Sequence, residues 1–234
     1  MRLPPLLLRR IHKWIGLILG LQFLLWAISG TAMALLDMEE VAGGPAAAPA
    51  ASSLAPSRAW PEVRRALGGR PVTAMAVRPL LNGHVLEIGT PAGVRLFDSV
   101  TGRAVKVDAH LARRIAEASH GGRSTVRSVA PLDELTLAVR EHQLPIWRVD
   151  FADERHSSFY VSGTTGELLE RRNDSWRLWD FFWMLHNMDY ANRASFNHPL
   201  IVAVTFGILW LTITGAWLLF KTCWRAERRL LRRL

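Results

Sequence analysis

The sequence predicts a membrane protein of mixed class, in which two transmembrane α-helices flank an exported α+β domain of tandem helix-and-antiparallel-sheet units. Three observations carry that expectation. The excess positive charge is confined to two short tails, each tail abuts a long uncharged apolar run, and the stretch between the runs twice repeats a helix followed by strands, closing each time on a Thr-Gly turn.

The tails set the topology. Residues 1–13 hold Arg2, Arg9, Arg10 and Lys13, and no acid precedes Asp37, a net of +4. Residues 221–234 hold Lys221, Arg225, Arg228, Arg229, Arg232 and Arg233 against Glu227, a net of +5. Of the 29 cations and 20 anions in the chain, ten and one lie in these tails, so the 19 of each sign in between cancel. A nucleic-acid surface would carry its excess cations on the folded domain, so this distribution excludes nucleic acid as a partner and points to a lipid bilayer.

The first apolar run, residues 14–36, contains no charge, and at about 1.5 Å per helical residue it exceeds the roughly 30 Å hydrocarbon thickness. It is also longer than the roughly 7 to 15 apolar residues of a cleavable signal peptide, which favours a retained anchor although Ala32, Met33 and Ala34 resemble a cleavage site. The second span, residues 198–220, starts at a His-Pro pair and is uncharged from Leu200 to Phe220. With Lys and Arg kept inside, both termini are expected in the cytoplasm and the middle outside. The lone Cys223 excludes a disulfide or a Cys-based zinc site within one chain.

Residues 37–56 are expected to form a flexible linker, since 41–56 are almost entirely Ala, Gly, Pro and Ser. The domain then runs over 57–172. A helical stretch at 58–67 leads into extended runs at 72–78, 84–89 and 94–98, closing on Thr101-Gly102. A second helical stretch at 108–119 leads into extended runs at 135–139, 147–151 and 158–162, closing on Thr165-Gly166. Glycine at these turns supplies the positive φ that a tight hairpin needs.

Residues 173–197 hold the densest aromatic stretch and a joint. At helical spacing Trp176, Trp179, Trp183 and His186 form one stripe, on a segment too short to cross a bilayer. Two readings stay open, an interfacial helix and a lid over a cofactor held between the spans. Asn192, Arg193, Ser195 and Asn197 form a polar joint, with Pro199 suited to the first turn of the second span. Within the spans, Gln22 and Ser29 share a face, as do Thr205 and Thr212, and both faces are expected to look into a helix bundle. Gly16 and Gly20 have the spacing of a close helix approach.

The strand ending in Tyr160-Val161 and the turn Thr165-Gly166-Glu167, after a short helix and paired strands, resemble the closing hairpin of the PepSY module. The openings of the spans, Arg10-x-His12-Lys13-Trp14-x-Gly16 and Ser29-Gly30, with the later Leu185-His186 and Thr214-Gly215, are similar to the PepSY-associated transmembrane family of bacterial inner-membrane proteins. The chain departs from four-helix members of that family in having two clear spans. The resemblance implies a tandem PepSY-like domain in the periplasm. Through members similar to haem-containing ferric-siderophore reductases, it also implies haem b as a cofactor and electron transfer as an activity.

Candidate cofactor-binding residues are His12, His186 and His198, of which His12 and His186 are the candidate haem-iron ligands. Two imidazoles on one haem must face each other at similar depth, and His12 and His186 sit at opposite ends of the spans. A homodimer with its two-fold axis along the membrane normal would bring each histidine opposite its own copy and give four helices. His84, His110, His120, His142 and His156 lack metal-ligand spacing, and no GxSxG, HExxH, phosphate-loop or dinucleotide motif occurs. Two function classes are therefore carried forward. One is a haem-binding electron-transfer component linked to iron or siderophore reduction and fed by a cytoplasmic-side reductase. The other is a membrane-anchored binding, inhibitory or assembly module that engages a periplasmic protein without redox activity.

Overall fold

The computed structural model describes residues 5–44, 59–122, 124–191, 193, 195 and 197–231, with side chains as far as residue 222. Most of the predicted linker (45–56), Arg58 and Asn192 lie outside the described residues. The chain divides into a helical unit, residues 1–35 and 179–234, and a sheet unit, residues 36–178.

In the helical unit, α1 (Pro5–Leu35) and α6 (Pro199–Leu231) each contain a stretch long and apolar enough to cross a membrane, Leu6–Leu35 and Pro199–Thr222. Their contact is built on glycine. A Cβ on Gly207 would come within 3.0 Å of Leu19, one on Gly16 would meet Leu211 at 3.9 Å, and one on Gly215 would meet the His12 ring at 3.4 Å. Removing the side chain at these points lets two backbones approach, which is what helix association in lipid needs. Gly20 has nothing within 4 Å, so the expected Gly16 and Gly20 pair acts through Gly16 alone.

The face of α6 that meets α1 carries Gly207, Leu211 and Thr214, and not the pair Thr205 and Thr212. Those two threonines are exposed and donate to their own helix, to the carbonyls of Ile201 and Ile208. A hydroxyl satisfied by its own helix carries no requirement for a polar neighbour, which is why the sequence pattern pointed to the wrong face.

The sheet unit opens with α2 (Met38–Val41), whose N-terminus is capped by the Asp37 carboxylate accepting from the Glu39 amide. The start of the predicted linker is thus fixed to the sheet unit: Asn173 donates to the Glu40 carbonyl, Arg171 donates to the Gly44 carbonyl, and Arg155 pairs with Glu40.

Two repeats follow. The first comprises α3 (Trp60–Leu67) and an antiparallel sheet of β1 (Ala74–Leu80), β2 (Gly83–Thr90), β3 (Gly93–Asp98) and β4 (Ala104–Val105) in sequence order. The second comprises α4 (Ala109–Ser119) and a sheet of β5 (Val126–Pro131), β6 (Ile146–Phe151), β7 (Ser158–Ser162) and β8 (Leu168–Arg172), again in order. Period-two alternation sorts the side chains to two faces of each sheet. Leu86, Ile88 and Phe97 pack under Ala59, Val63 and Leu67 of the α3 region, whereas Val85 and Leu96 on the opposite face join α4 and the inner face of the second sheet, Val149, Phe151, Phe159 and Val161. Helix α4 is therefore enclosed between two sheets. A third cluster, Ala138, Val139, Ile146 and Tyr160 with Trp176 against it, covers part of the outer face of the second sheet.

One predicted strand is corrected. Residues 135–139 do not form a strand; Leu137–Val139 is a 3-10 turn that plugs Ala138 and Val139 into that third cluster. The strand in its place is β5, whose alternation is broken by a bulge: Val126 pairs with Phe151 and Ser128 with Asp150, leaving Arg127 unopposed. Val126 and Val129, three residues apart, consequently both face the core, a spacing that does not read as a strand. The last helix of the chain's middle, α5 (Asp174–Asn187), begins in the sheet unit and ends in the helical unit.

Candidate transmembrane histidine sites

Two histidines in the helical unit are held by the same kind of arrangement, once near each end of α1. His12 sits on α1, and its Nδ1 lies 2.7 Å from the Thr214 hydroxyl on α6. That hydroxyl donates its only proton to the Trp210 carbonyl at 2.8 Å. With that proton on the carbonyl, the hydroxyl oxygen accepts from Nδ1–H, and Nε2 is the ring nitrogen left without a partner among the described residues. Gly215 gives the ring its space, and the Trp210 ring lies 6.2 Å away, centroid to centroid.

His186, in the last turn of α5, repeats this chemistry. Its Nδ1 lies 3.0 Å from the buried Ser29 hydroxyl of α1, which donates to the Leu25 carbonyl at 2.7 Å. With that hydroxyl proton on the carbonyl, the Ser29 oxygen accepts from Nδ1–H, as at His12. A Cβ on Gly30 would come within 3.3 Å of the His186 ring, and the Trp26 ring lies at 6.2 Å. Each histidine is half-buried, and among the described residues nothing hydrogen-bonds to either Nε2. Ser29-Gly30 and Thr214-Gly215, separate motifs in the sequence, are thus the seats of His186 and His12.

From His12 to Ser29 along α1 is about 25 Å at 1.5 Å per residue, so the two histidines do not share one ligand within a chain. His198 is arranged differently. Its Nε2 donates to the Asn187 carbonyl at 2.8 Å and its own carbonyl accepts from the Val202 amide, so it ties the joint to the start of α6. Arg193 pairs with the buried Asp180 carboxylate at 2.6 Å, and Trp179 stacks on Trp183 at 6.2 Å. Sequence reasoning missed Asp180; an acid in the middle of the aromatic stretch, followed by Arg193 in the next segment, was the available signal. Gln22 is the other polar side chain of this face, and its Nε2 is buried without a hydrogen-bond partner, as is the Trp26 Nε1.

In the sheet unit, three histidines each face one carboxylate: His142 with Glu170 at 3.0 Å, His156 with Asp174 at 2.6 Å and His120 with Asp153 at 3.4 Å. The last of these lines a cleft of about 340 Å³ with Ser157 and Phe159. Burial raises the Asp153 carboxyl, but hydrogen bonds from Ser157 and from His120 outweigh it and hold the group below the usual carboxylate range.

Against known families, a model described as the PepSY-associated TM region matches residues 9–234. Comparison with curated proteins gave no match, and neither did comparison with solved structures.

Proposed function

The chain belongs to the PepSY-associated transmembrane family, and from that premise we propose that this membrane protein is a haem-binding electron-transfer component of the bacterial inner membrane, linked to iron or siderophore reduction. The observation that carries the proposal is the twofold occurrence of a half-buried imidazole whose Nδ1 is hydrogen-bonded to a transmembrane hydroxyl and whose Nε2 has no hydrogen-bond partner among the described residues. A metal-ligating histidine characteristically donates its other ring hydrogen to an oxygen that orients it, and that is the role Ser29 and Thr214 fill here. Glycine beneath each ring lets the imidazole lie close against the neighbouring helix, with an indole beside it.

Haem b, when bound, supplies one-electron chemistry at its iron. The chain's own contribution is orientation and exclusion of water: Ser29 holds His186, Thr214 holds His12, and the apolar faces of α1 and α6 surround both. Two chains related by a two-fold axis along the membrane normal provide the paired imidazoles at each depth, and in this reading His198 braces the joint. Both termini lie in the cytoplasm, the sheet unit lies in the periplasm, and electrons come from a cytoplasmic-side reductase.

The test is the absorbance spectrum of the detergent-purified protein, expressed with adequate haem, before and after dithionite. A reduced b-type spectrum is expected, with His186→Ala and His12→Ala each removing a different part of it while membrane insertion is retained. Wild-type protein without haem absorbance overturns the proposal and leaves the anchored, non-redox PepSY module as the account.

A further inference from the structure

The outer face of the second sheet carries a group of side chains that the transmembrane histidines do not involve. Asp150 is its centre. Its Oδ1 accepts from the Ser158 hydroxyl at 2.6 Å and from Arg148 Nε at 2.8 Å, and its Oδ2 accepts from the Ser128 hydroxyl at 3.0 Å. Arg177 reaches the same serine, donating to the Ser158 hydroxyl at 3.3 Å, while its other terminal nitrogen is engaged by Asp174 and the His156 carbonyl. Each of these two arginines thus has one carboxylate partner.

Arg127 has none. It is the residue left unopposed by the bulge in β5, and among the described residues no acid pairs with it. In a regular strand, the residue after the inward-facing Val126 and before the outward-facing Ser128 does not exist; the bulge inserts it and turns it outward. It lines a hollow of about 130 Å³ together with Arg148, Arg177, His156, Ser158 and Asp150. A charged residue on an edge strand also deters edge pairing. That role needs no hollow and no convergence with two further guanidinium groups from β6 and α5. The first repeat has neither: β1 pairs with β2 in unbroken register and carries no counterpart of Arg127.

We propose that this hollow is a binding site for a small tetrahedral oxyanion, a phosphate group held by Arg127 with Nη1 of Arg148 and the remaining N–H of Arg177 Nη2, whose other hydrogen meets Ser158. Three guanidinium groups against Asp150 and Asp174 leave one positive charge uncompensated, and both Asp150 oxygens are already occupied by their donors. Guanidinium forks match the geometry of phosphate oxygens. The hollow, about 130 Å³ and open to solvent, has room for a phosphate group, with anything esterified to it left outside. The site stands independently of haem.

The experiment is calorimetric titration of the full-length protein in neutral detergent and phosphate-free, low-salt buffer, with inorganic phosphate and with glycerol 3-phosphate as separate probes. Saturable binding of one equivalent per chain is expected. Binding of inorganic phosphate alone identifies a free anion as the ligand, and binding of both identifies a phosphomonoester group. Arg127→Gln should weaken binding at least about tenfold, as loss of a charged hydrogen-bond donor does, with Arg127→Lys intermediate. Arg127 is exposed, so the thermal unfolding of the variant should match wild type and separate lost binding from lost fold. Arg64→Gln, an exposed arginine on α3, should leave binding unchanged. No saturable binding of either probe, equal affinity in Arg127→Gln, or an equal loss in Arg64→Gln overturns the site.

Discussion

In the first repeat α3 covers the middle of its sheet, over Leu86, Ile88 and Phe97, and leaves the first half of β1 uncovered, with Met75 59 % and Val77 46 % exposed, while Leu80 at the strand's end reaches the shared core. In the second repeat α4 is enclosed: Ala112, Ile115 and Ala116 are buried between the two sheets, and even the edge strand β5 turns Val126 and Val129 into the shared core. The parts and their order are the same. The difference is how many surfaces the helix meets, and it teaches that a duplicated helix-and-meander need not have duplicated stability. The second repeat holds the unit together, while the first is free to carry an exposed edge.

The largest test of this difference is truncation in the two cores. Phe159 and Phe97 are both essentially inaccessible, but Phe159 belongs to the cluster joining α4 and both sheets and touches the rings of Phe151 and His120. Phe159→Ala is expected to cost about 3–5 kcal/mol in urea unfolding, with Phe97→Ala at the lower end of that range. The reverse order would break the comparison.

The two Thr-Gly turns sharpen it further. Gly102 and Gly166 have φ of +70° and +66°, so any side chain is strained at both. They differ in what a Cβ would meet. At Gly102 it would run into the Ala59 carbonyl oxygen and Glu62 Cβ at the start of α3, whereas at Gly166 its nearest neighbours are the ends of the Ile115, Val107 and Leu80 side chains, at 3.3–3.5 Å. Backbone cannot yield as side-chain tips can. Gly102→Ala should therefore lower stability by about 2–3 kcal/mol and Gly166→Ala by about 1 kcal/mol, read from the same urea curves. Equal costs would mean that the first turn relaxes away from α3.

The smallest expected effect is on pH dependence. Burial raises the Asp150 carboxyl, but hydrogen bonds from Ser158 and Arg148 and the Arg148 charge prevail and hold it below its usual 3.8. A carboxylate lowered on folding stabilises the protein above the unfolded value, and that contribution disappears as pH falls through the folded value. Urea midpoints of wild type should therefore decline below about pH 4, and Asp150→Asn should lose about 1 kcal/mol at neutral pH with a flatter acid limb. Asp98, in the first repeat, is also lowered, chiefly by the Thr101 amide, but its carboxyl is less buried than that of Asp150, and Asp98→Asn should change the acid limb less. An acid limb unchanged in Asp150→Asn would place the stabilisation elsewhere.

Much of this architecture was legible in the residues. The uncharged runs beside basic tails mark α1 and α6, and the two Thr-Gly turns have the positive φ expected of them. What failed was alternation at β5, because a bulge shifts the period where Arg127 enters, and at 135–139, where apolar residues fill a hole in the core without forming a strand. In the helical unit, Ser29 and Gly30 were noticed beside His186 only as parts of separate motifs. Their contact depends on the rotation of α1 relative to α5, a tertiary quantity that spacing along the chain does not contain. The inward face of α6 was misread for the related reason that Thr205 and Thr212 satisfy themselves on their own helix.

The seat that α1 offers to His186 also has an angular meaning. Because one residue advances a helix by 100°, the azimuth at which Ser29 and Gly30 emerge is fixed by the exact number of residues separating them from His12. A single insertion between Gly20 and Gln22 would leave His12 in register with Thr214 but swing the outer seat more than a quarter-turn away from His186. Substitutions that preserve length leave that dihedral relation untouched. Length in this segment of α1 is therefore under tighter constraint than composition, and natural variation there should take the form of exchanged apolar residues, with insertions and deletions confined to positions before His12 or after Gly30.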